Sequence, residues 1–488
     1  MTDTRNALAG IVGREHVSDD PESLQVFSGD HSFVLPIPPW FAVRPGSEGE
    51  VQEVVVWANA TRTPLVPVSS GSPHFYGDTV PGAPGAVMVD LSRMNAIKRI
   101  DRRNRMAVIE PGVTYGQLRP ELAKEGLALV APLRPRPNKS VIGSLLERQP
   151  TLVPRYHYAF PEPLRTCGVV WGNGEKTYTG EAGYGPYSLE DQWRAGLRQV
   201  DPKGPAQTDF VRLLSGAQGT LGIVTWASVK CTLLPSVRRF FFVAARTLAE
   251  LTGLAYRLQR LRLGEEVFLA SGALLARLLA AEHGVAALKE ELPSWVLVVG
   301  VAGRALLPEE RADVQEKDIS EAARACGLEL LPALPGAATG QIEDALTGCS
   351  PEPYWKLAYR GDTADVFFLA ALDKASGFVA TARTIAEEHG YPAGDMGVYL
   401  QPQHQGVAHH CELSFPFDPS DPRELARTKA VHTQIGERLI GQGAYFSRPY
   451  GSWADLVYNR DAQSTMLLRK IKGIFDPNNV MNPGKLCF

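Results

Sequence analysis

The densest concentration of groups able to hold a metal or move a proton is Gln401-Pro402-Gln403-His404-Gln405-Gly406-Val407-Ala408-His409-His410-Cys411-Glu412-Leu413. If Ala408–Phe415 is a strand, side chains alternate with period two, and His410 and Glu412 share one face. His404 reaches that face from the preceding loop, and two imidazoles with a carboxylate make a divalent-metal set. The same groups also read as polar residues facing a pocket. His157, within Arg155-Tyr156-His157-Tyr158, is a second candidate. An ordinary imidazole, with a pKa near 6.5, suits taking a hydroxyl proton around neutrality; it equally suits a packed histidine in a loop. A third segment is Pro67-Val68-Ser69-Ser70-Gly71-Ser72-Pro73-His74-Phe75-Tyr76-Gly77. A Ser/Gly-rich turn closing a hydrophobic run presents backbone N–H groups that can converge on a diphosphate.

The elements that must position these groups alternate between helix and strand. Residues 47–62 read as an amphipathic helix leading into a strand at Leu65–Val68. Ser47 and Glu50 have the spacing of a capping box, and Val51, Val54, Val55 and Ala58 form the apolar face. Further strands are expected at Ala86–Leu91, Arg105–Ile109, Cys167–Val170 and Gly222–Lys230, with a helix at Tyr115–Glu125 despite Pro120. This alternation fits an α+β domain over residues 1–235. From Arg238 the texture changes: strands at Phe240–Ala244 and Trp295–Ala302, helices at Leu248–Leu261, Glu309–Cys326 and Phe378–His389. Residues 236–451 therefore read as a second α+β domain. Within it, Gly336–Pro353, rich in Gly, Ala and Pro, reads as a loop.

At 488 residues the chain exceeds one ordinary core. A net charge of −3 leaves no electrostatic footprint for nucleic acid. No apolar run approaches about 18 residues, so no transmembrane segment is expected and the protein reads as cytoplasmic. The six cysteines are scattered without a CxxC pair, which argues against an iron–sulfur cluster or zinc ribbon in this chain.

Five stretches, taken in order, resemble a known family. They are the 67–77 loop, Glu110-Pro111-Gly112-Val113-Thr114-Tyr115, Ser140-Val141-Ile142-Gly143-Ser144-Leu145-Leu146-Glu147-Arg148, Gly219-Thr220-Leu221-Gly222-Ile223-Val224-Thr225, and Phe475-Asp476-Pro477-Asn478-Asn479-Val480-Met481-Asn482-Pro483-Gly484-Lys485. The chain is similar to the FAD-linked oxidases of the vanillyl-alcohol oxidase / p-cresol methylhydroxylase (PCMH) type, which include glycolate and D-lactate dehydrogenases. The resemblance implies a PCMH-type FAD-binding domain of two α+β subdomains, an α+β cap, and a C-terminal segment, 452–488, that packs back on the FAD domain. The implied FAD contacts are Pro67, Ser69, Ser70, Gly71, Ser72, His74, Tyr76, Gly77, Pro111, Gly112, Ser140, Ile142, Gly143, Ser144, Gly222, Ile223, Val224, Asn482 and Lys485. Covalent attachment is not expected, because Gly361–Val366 carries neither His nor Tyr at the cap position used by some relatives.

On the substrate side, Tyr76 and Arg448 match a tyrosine and an arginine that clamp a phenolate in phenol-oxidising relatives. The second tyrosine falls on Ser447 and a carboxylate falls on His157. Arg134, Arg136 and Lys139 stand where relatives have a Gly-rich run; they either add charge to phosphate or substrate binding or form a solvated loop. Lys356, Tyr359, Arg360, Tyr399, Tyr450 and Trp453 are further candidates for the cavity wall. The resemblance thus implies an FAD-dependent dehydrogenase of a small hydroxylated aromatic or anionic substrate. Arg448 and Tyr76 would orient that substrate, with His157, His409 or His410 as base. Alternatives are a 2-hydroxy-acid dehydrogenase with a cap-domain metal on His404, His410 and Glu412, and an electron-relay flavoprotein. Implied partners are an iron–sulfur or cytochrome acceptor subunit, in a homo-oligomer or larger complex.

Overall fold

The computed structural model describes residues 2–154, 163–183, 188–196, 208–280, 284–403 and 406–488. Glu48–Thr61 is a helix, and Ser47 Oγ caps it by accepting the Glu50 N–H at 3.2 Å. The reciprocal half of the capping box is missing. Glu50 instead takes the Gly46 N–H at 2.8 Å and Arg93 at 3.2 Å, tying the helix start to a neighbouring turn. Val51, Val54, Val55 and Ala58 are buried against a four-stranded sheet. Its order is Val17–Ser18, Phe41–Val43, Val87–Asp90 and Leu65–Val68, the last three mutually parallel. The 67–77 loop leaves the end of Leu65–Val68, so its position is set by that sheet.

A second sheet is antiparallel, in the order Ile97–Asp101, Met106–Ile109, Gly222–Leu233, Leu164–Trp171 and Lys176–Tyr178; Leu127–Leu129 joins one end of Gly222–Leu233. The helix Tyr115–Lys124 runs through Pro120, giving up the one bond that nitrogen cannot donate. The third sheet orders Val237–Ala245, Trp295–Gly303, Val267–Ser271, Gly397–Gln403, Ala408–Phe417 and Asp362–Ala370, again antiparallel. Alternation sends Phe241 and Val243 to a core under the helices Leu248–Leu261, Pro308–Arg324, Leu372–Glu388 and Pro422–Gly441. Phe240 and Phe242 face the other way, against Gly272–Leu279 and Thr339–Thr347.

That last helix corrects the expected loop at 336–353. Ile342, Ala345 and Leu346 recur at helical spacing and are buried, and this periodicity outweighs the Gly/Pro content on either side.

The tail returns to the first sheet. Leu65 N donates to the Val480 carbonyl at 2.7 Å, and Asn482 N donates to the Leu65 carbonyl at 2.8 Å. Lys472 fixes the approach through the Thr220 carbonyl at 2.6 Å, the Met481 carbonyl at 2.8 Å and Asp476 at 2.6 Å. Among the described residues no helix is long and apolar enough to cross a membrane.

Candidate active site

Two clefts meet at shared residues, the first lined mainly by segments of the first two sheets and the second lined in part by the third. The first is walled by Val68, Ile142, Leu146, Leu214, Leu221 and Ile223, with small polar residues at Ser69, Ser70 and Thr79. Of the residues implied as FAD contacts, Pro67, Ser69, Ser70, His74, Pro111, Ile142, Gly143, Gly222, Ile223 and Val224 line it. The close approach is real at two glycines. A Cβ on Gly143 would stand 2.9 Å from Ser69 Oγ, and one on Gly219 would stand 2.5 Å from Pro67 Cγ, at a φ of +70°. No lysine or arginine lines this cleft among the described residues, so backbone and hydroxyl donors must answer an anionic diphosphate. A cleft with apolar walls and a glycine-tight polar loop fits a dinucleotide.

The other implied contacts brace the cleft from behind. Ser140 Oγ donates to the Pro111 carbonyl at 2.6 Å and accepts the Gly143 N–H at 2.9 Å. Ser144 Oγ bonds Gln149 and Tyr115. Gly112 is pressed against the carbonyls of Leu91, Ser92 and Met94. Gly71 and Ser72 are gripped by the 134–139 segment: Arg136 donates to the Gly71 carbonyl at 2.8 Å and Asn138 to the Ser72 carbonyl at 2.8 Å. Asn482 and Lys485 hold the turn at 77–78, through the carbonyls of Asp78 at 2.8 Å and Gly77 at 2.7 Å.

The second cleft lies against the cap sheet. Phe75, Tyr76, Tyr354, Trp355 and Tyr399 give it aromatic walls, and Arg136, Lys139, Lys356 and Arg448 bring positive charge. His74, Asp78, Thr79 and Glu147 line both clefts and so form their junction. Tyr76 stacks on Tyr450 at 4.9 Å and meets Phe367 edge-on at 5.3 Å. Burial pushes its phenol far above the ordinary range. Arg448 is buried, lies 4.3 Å over the Phe367 ring and donates to the Glu147 carbonyl at 3.1 Å. Arg136 is buried over Phe75. Neither guanidinium has a carboxylate partner among the described residues, whereas Lys139 is paired with Glu147.

Lys356 sits between two strands, its ammonium 2.5 Å from both Asp365 Oδ2 and Glu412 Oε1. Glu412 Oε2 lies 3.3 Å from His410 Nε2. Burial opposes every charge here, yet the ammonium and the His410 bond outweigh it at Glu412 and hold that carboxyl well below its usual range. At Asp365 burial prevails and the carboxyl is pushed up. Burial lowers His410.

The predicted face is thus half right about its occupants. His410 and Glu412 do share it, but Glu412 is taken by Lys356 rather than left open for a metal. Among the described residues no group of three His, Cys, Asp or Glu side chains is arranged to hold one. His409, expected as a base candidate, points to the opposite face for the same reason of alternation. There it bonds Gln259 at 3.1 Å and meets Tyr256 edge-on. His157 and His404 lie outside the described residues. Ser447 lines an adjoining crevice with Arg448. Of the other wall candidates, Lys356 and Tyr399 line the second cleft and Tyr450 the first. Arg360 is committed to Glu424, Tyr359 packs in the cap core, and Trp453 packs on His432.

Asp78, Glu147 and Asp365 were not read from the sequence. A carboxylate directly after the Ser/Gly-rich 67–77 loop, as at Asp78, is out of keeping with a segment expected to receive a diphosphate, and that mismatch was the available signal.

A model of the FAD binding domain matches residues 39–149, and one of the C-terminal domain of FAD linked oxidases matches residues 369–486. The chain is 24% identical to D-2-hydroxyglutarate dehydrogenase of Stutzerimonas stutzeri (strain A1501), over 100% of this chain and 99% of that protein. It is 32% identical to the 4-cresol dehydrogenase (hydroxylating) flavoprotein subunit of Pseudomonas putida, over 30% of this chain and 28% of that protein. Two relatives matched above 30% identity are thus spanned for only 26% and 28% of their length. The crystal structure of p-cresol methylhydroxylase with substrate bound superposes with a TM-score of 0.83 at 19% identity, over 100% of this chain and 96% of that one. With an FAD binding domain and the C-terminal domain of FAD linked oxidases both matched, and a relative aligned end to end, the chain is an FAD-dependent oxidoreductase with the fold of p-cresol methylhydroxylase.

Proposed function

We propose that this protein dehydrogenates a small hydroxylated substrate carrying a carboxylate or phenolate, bound in the second cleft. One observation carries the reading: two buried guanidinium groups, Arg136 and Arg448, reach that cleft with no carboxylate partner among the described residues. A buried cation without a partner is costly, and an anionic ligand supplies the missing charge with bidentate geometry. Tyr76 closes the cleft on the side of the cofactor loop, and Phe75, Tyr354, Trp355 and Tyr399 exclude water around an apolar or aromatic body. Lys356 has a different task. Its single charge offsets Glu412, and burial pushes the neighbouring Asp365 carboxyl toward its neutral form, so this part of the cleft repels an anion less.

FAD, held in the first cleft without a covalent bond, supplies the two-electron acceptance that an alcohol or benzylic oxidation needs. The protein's share is to hold the anion, keep the site dry and take the proton. Electrons then pass to a separate iron–sulfur or cytochrome subunit, with molecular oxygen as the competing acceptor.

The test is anaerobic titration of the FAD-loaded protein with D-lactate, D-2-hydroxyglutarate, D-mandelate and 4-hydroxybenzyl alcohol, read as loss of flavin absorbance. Bleaching by an anionic or phenolic member supports the reading. Failure of all four, with reduction only by a redox partner protein, leaves the electron-relay alternative in its place.

A further inference from the structure

We propose that Asp78 is the proton acceptor of the reaction centre, the carboxyl that takes the substrate's hydroxyl proton. The inference rests on the two-cleft reading above and names its missing base.

A group that serves both cofactor and substrate must face both clefts, and only His74, Asp78, Thr79 and Glu147 do so among the described residues. Thr79 has no useful basicity. His74 is pressed down to about 3 by burial and by the charges of Lys139 and Arg136, so its imidazole is a poor base. Glu147 is already engaged, accepting from Lys139 and, at 3.1 Å, from Gln149. The Asp78 carboxyl accepts no hydrogen bond from any described residue, although the backbone around it is heavily bonded.

That backbone is fixed from two distant parts of the chain. Asp30 Oδ2 accepts the Gly77 N–H at 2.6 Å, and Lys485 Nζ donates to the Gly77 carbonyl at 2.7 Å. Asn482 Nδ2 donates both to the Asp78 carbonyl at 2.8 Å and to the Gln218 carbonyl at 2.7 Å. A free carboxyl on so constrained a backbone is positioned for a ligand rather than for the fold.

Its basicity fits the task. Burial and the neighbouring Glu147 raise Asp78 to about 7, with Asp30 adding to the rise and Lys139 and Lys485 opposing it; Tyr450, whose phenol burial pushes far up, and His74 at the cleft junction also lie nearby. The chemistry is one half of an alcohol-to-carbonyl oxidation. The substrate O–H bond breaks and an O–H bond forms on Asp78. The adjacent C–H bond gives up its hydrogen with both electrons to the flavin, the two-electron oxidant named above.

The experiment compares the FAD-loaded wild type with Asp78→Asn and Asp78→Ser, the second guarding against a local folding fault in the first. FAD content and the flavin spectral change on binding benzoate, a non-reacting anion, should be retained in at least one variant. Anaerobic bleaching by whichever substrate reduces the wild type should then slow by roughly a hundredfold or more. The wild-type rate should rise with pH and level off at or above about 7, a rise absent from both variants. Independently of turnover, a carboxyl infrared band titrating near neutrality in the apoprotein should vanish in Asp78→Asn. Near-normal bleaching with an unchanged pH profile overturns the assignment while leaving the two-cleft reading intact. A wild type that no substrate reduces removes that reading itself. Loss of FAD from both variants also overturns it, because Asp78 would then be a structural part of the cofactor loop.

Discussion

Lys485 Nζ donates to the carbonyl of Gly77 at 2.7 Å across 408 residues of sequence. The contact makes the end of the chain part of the loop that starts the cofactor cleft. Lys485 has no carboxylate within bonding range among the described residues, and burial lowers its affinity for a proton. Lys485→Met should leave the buried carbonyl of Gly77 unanswered, a loss of about 1–3 kcal/mol. We expect FAD affinity to fall about tenfold, measured by quenching of flavin fluorescence, with the far-UV spectrum unchanged. Full FAD affinity would show that the tail packs on the loop without supporting it.

The Gly143–Ser69 approach can be probed as a pair. Gly143→Ala places a methyl 2.9 Å from Ser69 Oγ, inside normal contact. Because Gly143 N–H also bonds Ser140 Oγ, the backbone there cannot easily retreat. The single variant should weaken FAD binding by several-fold to tenfold, an overpacking cost of about 1 kcal/mol. Gly143→Ala combined with Ser69→Gly should recover most of that loss. A double variant no better than the single would place the clash elsewhere.

Much of this cleft was legible from sequence because backbone turns are written in small residues. Gly, Ser and Pro at fixed places in 67–77, 140–144 and 219–224 announce close approach, and those loops do line the cleft. The reaction side was less legible, because it is built from single side chains on strands whose register no local pattern states. His409 and His410 are adjacent in sequence and face opposite sides of a sheet. Lys356 lies in an irregular stretch, and its role exists only because Asp362–Ala370 pairs with Ala408–Phe417, bringing Asp365 beside Glu412. Arg136 read from sequence either as added charge for a ligand or as a solvated loop residue, and only the fold buries it against Gly71.

Lys356 offers a stability test. Lys356→Met strands two buried carboxylates that face one ammonium, and breaking such a pair costs about 3–5 kcal/mol. The thermal midpoint should drop by several degrees at pH 7, and the triple change with Asp365→Asn and Glu412→Gln should restore most of it. The pH dependence has a definite sign. Glu412 is held below its ordinary value of 4.5, so its contribution is present above that value and is lost as pH falls below it. Lys356 is held above 10.5, so its contribution persists to that pH and is lost only on further rise. Lys356→Met should therefore lose less stability relative to wild type at pH 3 than at pH 7, in parallel melts.

Arg448→Ala should separate substrate from cofactor. Among the described residues its guanidinium touches the Glu147 carbonyl and the Phe367 ring but pairs with no carboxylate. Removing it should raise KM for an anionic substrate by roughly 10- to 100-fold, the worth of a charged hydrogen bond of about 1.5–3 kcal/mol, while FAD content stays near wild type. Arg448→Lys should recover only part, since an ammonium cannot engage two oxygens side by side. An unchanged KM for every anionic substrate would remove Arg448 from the binding site.

With FAD in the first cleft, as proposed, its binding should be linked to the protonation of Asp78. The first cleft holds no lysine or arginine among the described residues, and Asp78 faces it with a carboxyl raised to about 7. A diphosphate entering that cleft adds negative charge and raises Asp78 further, so binding takes up a proton. Affinity should be flat well below pH 7 and fall above it, by up to about tenfold per pH unit. The apoprotein carries the matching sign: a carboxyl raised in the folded state above its ordinary 3.8 costs stability progressively as pH rises from about 4 to about 7. Calorimetric titration of apoprotein with FAD, in two buffers of different ionisation enthalpy at pH 7.5, reads the proton directly. We expect uptake of a substantial fraction of one proton in the wild type and near none in Asp78→Asn. Equal uptake in both would place the proton on a group other than Asp78 and overturn the linkage.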